Sequence, residues 1–112
     1  MKINGVELNF NLFDPDQAAR KDAYFKVLKD IVKMDEHRLE DPSEQVKAEC
    51  DVIKHLFDVT FGEGTGDKVC GKGHDHLACL EAYEALVDEQ IRQANRYNAV
   101  RNRLNSRKRK KK

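Results

Sequence analysis

The chain has no tryptophan, only two prolines, and no apolar run approaching the 18 or so residues of a membrane span. Its first residues, MKINGVELNF, lack the basic-then-apolar pattern of a secretory signal, so a cytoplasmic location is expected. Cysteine is sparse and odd in number (Cys50, Cys70 and Cys79), which implies free thiols in a reducing compartment and no disulfide framework. Glycine is almost absent outside one segment: five of the six glycines fall within FGEGTGDKVCGKGHDHLAC, residues 61–79.

Acidic residues are missing altogether from Arg101 onward, where eight residues are basic. That leaves 13 basic against 20 acidic residues in positions 1–100, so the overall charge of +1 joins an acidic body to a basic tail. A split of this kind marks a tail distinct from its domain. The division expected is a helical domain with an N-terminal hairpin over 1–94 and a basic helical extension and tail over 95–112. At 112 residues there is room for one domain and a thin core, for which a further subunit or partner is a common remedy.

What is present reads as mainly α. Val6, Leu8, Phe10 and Leu12 alternate as in a strand, and Asn4-Gly5 is a strong hairpin signal, so a short N-terminal β-hairpin is expected. Both prolines follow an aspartate: DPDQ at 14–17 and DPSE at 41–44 each place Asp at a cap and Pro at the first helical position. These predict helices over 15–38 and 42–61. The first carries Ala19, Ala23, Val27, Ile31 and Met34 with Tyr24, Leu28 and Val32 beside them. The second carries Val46, Cys50, Ile53, Phe57 and Phe61 with Leu56 and Val59, and Gly62 supplies its stop. A third helix is expected from Asp75 or His76, with Leu80, Tyr83, Val87, Ile91 and Ala94 at three- and four-residue steps. Past Asn95 the apolar residues thin to Tyr97, Val100 and Leu104, as in a projecting rod.

The glycine-rich segment fails as a phosphate cradle. In GEGTGDK an aspartate precedes the lysine and valine follows it, and the glycines come after a helix where a dinucleotide site needs a strand. A flexible connector between helices is expected instead, with Phe61 anchoring the end of the second helix. Cys70, His74, His76 and Cys79 are chemically suited to zinc, but their C-x3-H-x-H-x2-C spacing matches none of the familiar finger patterns. The expectation is therefore no metal and no cofactor, with these four as the candidate ligands should one bind, and with Cys79 serving as a small core residue. His37 and His55 are expected on the surface. No nucleophile–base pair or carboxylate dyad stands out, so the chain is read as non-enzymatic.

The segments MKINGVELNFNLFDPDQA, CDVIKHLFDVTFGEGTGDKVCG and CLEAYEALVDE resemble a family of small prophage proteins from the tail-gene clusters of Gram-positive bacteria, which are similar to tail assembly chaperones. The likeness covers residues 1 to about 92, and FGEGT is its most specific element. It implies a cytoplasmic, mostly helical protein that coats the tape-measure protein during tail morphogenesis, and it carries no catalytic residue. It also implies a second, frameshifted product in some members, with which the terminal lysine run is compatible. The apolar positions Leu80, Tyr83, Val87 and Ile91 are the candidate partner-binding residues, for the tape measure, another tail protein or a second copy. Two other readings stand beside this one. The tail (Arg107, Lys108, Arg109, Lys110, Lys111 and Lys112) could contact a polyanion such as nucleic acid, or the Cys/His segment could make a zinc-stabilised module.

Overall fold

A computed structural model describes the backbone of residues 1–110 and the side chains of residues 1–108. The chain is mainly helical, with a two-stranded antiparallel hairpin, β1 (Lys2–Ile3) and β2 (Val6–Glu7), ahead of the helices. These are α1 (Ala18–Glu36), α2 (Pro42–Phe61), α3 (Thr65–Cys70) and α4 (His76–Lys110).

The hairpin turn follows from its dipeptide. Asn4 and Gly5 sit at φ 48° and 83°, the double left-handed geometry that Asn-Gly adopts at low cost. Lys2 faces Glu7 and Ile3 faces Val6. The expected strand through Leu12 is shorter than the alternation suggested, because the first arm has only two residues to offer a ladder. Leu8, Phe10 and Leu12 are nonetheless buried; Leu8 pairs with the Met1 backbone, whereas Phe10 and Leu12 are held by a side chain. Gln93 of α4 accepts from the Leu12 N–H at 2.9 Å and donates to the Phe10 carbonyl at 2.6 Å.

The two aspartate–proline starts behave as caps. Asp14 accepts from Asp16 N–H at 2.9 Å and Asp41 from Ser43 N–H at 2.8 Å. After Pro15 the first turn is a 3-10 turn (Pro15–Gln17), so α1 proper starts at Ala18 and ends at Glu36, inside the expected 15–38. Gln17 does not return to its cap: its side chain accepts from Asn11 N–H at 3.0 Å.

The number of helices is the main correction: among the described residues there are four α-helices, not three. The segment expected as a connector folds two turns of helix, Thr65–Cys70, between Gly64 and Gly71. This helix exists through its contacts. Val69 and Cys70 are buried, and Gly66 lies so close to α2 that an added Cβ would stand 2.6 Å from the Lys54 backbone. Asp58 accepts from the Gly66 N–H at 2.8 Å, and Lys54 reaches across to the Gly73 carbonyl at 2.6 Å and to Asp67 at 3.1 Å. Phe61, half-buried, packs edge-on to Phe10 at the end of α2.

The core is built from Tyr24, Val27 and Ile31 of α1, Cys50, Ile53, Leu56 and Phe57 of α2, and Cys79, Ala82 and Leu86 of α4, closed by Ile3, Leu8, Phe10 and Leu12. At about 1.5 Å per residue, the 35 residues of α4 make a rod of about 52 Å. The molecule measures 63 × 30 × 22 Å, so this helix sets its long dimension. From Asn95 to Lys108 every side chain of α4 is exposed. No helix among the described residues is long and apolar enough to cross a membrane.

Candidate partner-binding surface

α4 turns a set of small residues toward the core. Cys79, Ala82 and Leu86 are fully buried, and the short side chains of Cys79 and Ala82 let α2 come close. The bulkier stripe expected to carry this helix is displaced by one residue, and much of it faces outward. Leu77 is 66 % exposed, Leu80 41 % and Ile91 49 %, while Tyr83 and Val87 are half-buried. Leu77, Leu80, Glu84, Val87 and Ile91 follow one another at three- and four-residue steps, so they line one face of the helix. Glu81 and Asp88, both exposed, edge that face. Between His76 and Ile91 there are four acidic residues and no lysine or arginine.

The neighbouring surface of α1 is also apolar. Tyr24 donates to Gln90 at 2.7 Å and Asp35 acts electrostatically on Tyr83, so α1 runs antiparallel to α4. An open cavity of about 410 Å³ on α1 is lined by Phe25, Leu28 and Val32 with Lys29, Lys33 and Glu36. Burial, with a smaller contribution from Asp35, raises the Tyr83 phenol above its ordinary value, so both tyrosines on this side are neutral.

The candidate metal ligands do not converge. Cys70 and Cys79 turn into the core, as does Cys50 of α2. Burial pushes Cys50 up to about 12 and Cys79 up to about 11, and it raises Cys70 as well. Thiols so placed are protonated packing groups. His74 instead meets Asp51 at 2.9 Å and His76 meets Glu49 at 2.5 Å, both acids lying on α2. Burial alone would raise Glu49, but hydrogen bonds from Gln45 and His76, with the charges of His76 and Arg38, hold it below the usual carboxylate value. No group of three His, Cys, Asp or Glu side chains able to hold a metal ion occurs among the described residues. His37 and His55 are exposed.

With this geometry in view, the sequence comparison decides the family. The chain belongs to DUF6673, a family of unknown function. The match spans residues 4–112, so it takes in the last turns of α4 as well as the body. No curated protein and no solved structure matches the chain.

Sequence reasoning missed three glutamines that organise this DUF6673 chain: Gln45, buried and bonded to the Leu39 N–H at 2.8 Å, Gln90 on Tyr24, and Gln93 on the 10–12 segment. Their signal is faint. Gln90 and Gln93 continue the three- and four-residue spacing of Cys79, Ala82 and Leu86, so amides stand where the stripe needed apolar residues. Of the polyanion candidates, Arg107 and Lys108 are exposed on α4. The side chains of Arg109 and Lys110, and all of Lys111 and Lys112, lie outside the described residues.

Proposed function

We propose that this chain is a non-catalytic helix-binding protein of the tail-assembly-chaperone kind, which takes up an amphipathic segment of a tape-measure protein in the bacterial cytoplasm. The observation that carries the reading is the outward stripe Leu77, Leu80, Val87 and Ile91, set beside Glu81, Glu84 and Asp88, with a second apolar patch of Phe25, Leu28 and Val32 on α1. A stripe of this chemistry suits helix-in-groove recognition of a segment whose apolar residues are flanked by Lys or Arg. The resemblance of three segments to prophage tail-cluster proteins supplies the client class.

The test is co-expression with the long helical protein encoded beside this chain. The chaperone should keep that protein soluble and co-purify with it at a fixed ratio. Leu80→Asp combined with Ile91→Asp should abolish both effects while the far-ultraviolet circular dichroism of the free chain is unchanged. A neighbouring region that encodes no long helical protein, or solubilisation that survives the double substitution, would sink the reading.

A second reading rests on the far end of α4, where Arg96, Arg101, Arg103, Arg107 and Lys108 are all exposed and could neutralise phosphates. Only Tyr97 is available there to stack on a base, and one face of its ring is already covered by Phe13. Protein binding is therefore preferred.

A further inference from the structure

The long helix is two helices in charge. Over residues 77–91 it has acidic residues and no basic ones; from Arg92 onward it has basic residues and no acidic ones. Each half also exposes its own apolar stripe. In the first half this is the outward stripe running from Leu77 to Ile91, with Glu81 and Asp88 along its edge and Glu84 within it. In the second half it is Tyr97, Val100 and Leu104, again at steps of three and four. By helical spacing these three continue the buried line Cys79, Ala82, Leu86, Gln90 and Gln93. The core-facing stripe of α4 thus runs off the end of the body, with Phe13 laid against its first residue, Tyr97. Arg96, Arg103 and Arg107 flank it on one side, Arg101 and Lys108 on the other.

We infer that the basic arm of one copy docks on the acidic, apolar face of α4 in a second copy. Tyr97, Val100 and Leu104 pack against Leu77, Leu80, Val87 and Ile91, with the arm arginines beside Glu81, Glu84 and Asp88. Charge complementarity selects this occupant over an arm-to-arm pairing, which would bring two arginine-flanked stripes together. The two surfaces are different patches of the same chain, so the contact is head-to-tail. Contacts of that kind build rings where the rotation closes and open chains where it does not. The stripe from Tyr97 to Leu104 covers only about 10 Å of helix axis, so the association is weak, concentration-dependent and sensitive to salt. The face is the one proposed above for a client, so the two occupants exclude one another, and the test below uses the chain alone.

Sedimentation velocity on the full chain tests it. The wild-type chain should form growing species as concentration rises in low salt and return to monomer when salt is added. Val100→Glu with Leu104→Glu disables the arm, and Glu81→Lys with Asp88→Lys disables the face. All four positions are exposed, so both variants should keep the wild-type circular dichroism and melting temperature. Each variant alone should be monomeric, because it keeps only one end of the contact. Mixed together they should form a one-to-one complex that grows no further. A wild-type chain that remains monomeric at every concentration overturns the inference. So does a dimer that survives either double substitution, or an arm that binds a duplex DNA oligonucleotide while the chain shows no self-association.

Discussion

The ring of Phe13 lies flat on the ring of Tyr97, with 4.0 Å between centroids and 4° between planes. Phe13 belongs to the turn ahead of α1, whereas Tyr97 stands on α4 beyond its last core residue. This stack ties the projecting part of α4 to the body. Phe13→Ala should remove about 0.5–1.5 kcal/mol of aromatic pairing. Amide hydrogen exchange across residues 95–104 should then accelerate by up to about tenfold, with α2 unchanged. Equal protection in the two proteins would show that α4 holds its helix there without Phe13.

Gly66 is required for its lack of a side chain. A Cβ at this position would overlap the Lys54 backbone, which cannot swing away as a side-chain tip could. Gly66→Ala should destabilise the fold by about 1–3 kcal/mol through overpacking. Thermal unfolding would register this as a drop of several degrees. An unchanged melting temperature would mean that α3 does not seat against α2 as described.

Three thiols gathered in the core should be chemically quiet. Their titration is displaced upward by burial, to about 12 for Cys50 and about 11 for Cys79, and all three are buried. Reaction with a disulfide reagent at mildly alkaline pH should run roughly a hundredfold or more slower in the native protein than in denaturant. One thiol reacting in the native state at the denatured rate would place that cysteine outside the core.

Glu49 links α2 to the start of α4 through His76, and its carboxyl is held below its ordinary value of 4.5. The unfolded chain therefore binds a proton at this site at a higher pH than the folded chain does. The stabilisation from Glu49 is complete above the ordinary carboxylate value and is lost as pH falls through the lower folded-state value. Glu49→Gln should cost about 1–2 kcal/mol at neutral pH and flatten the acid limb of the stability curve. A variant whose acid limb matches that of the wild type would remove Glu49 from the linkage.

Local chemistry was legible in the residues themselves. Asp14-Pro15 and Asp41-Pro42 mark helix starts because a carboxylate accepts orphan N–H groups and proline has none to lose. Asn4-Gly5 marks a turn because both residues tolerate positive φ. The start of α4 at His76 and the burial of Cys79 were readable for the same kind of reason. The short helix at Thr65–Cys70 was not, because two turns containing threonine, glycine and aspartate have little helix preference of their own. The division of Cys70 and Cys79 from His74 and His76 was equally hidden: neighbours in the chain were drawn to different partners on α2.

Composition and spacing alone determined that this is a chiefly helical chain with a small hairpin, an acidic body and a basic end, since those depend on caps, turns, periodicity and charge within a few residues. Only the tertiary structure decided which face of α4 is inside. Hydrophobicity ranks Leu80 and Ile91 above Cys79 and Ala82, but close approach of α2 rewards the smaller pair, and the larger side chains are left outside. Packing between residues distant in the chain made that choice, and it is the reason that Leu80 and Ile91 face outward.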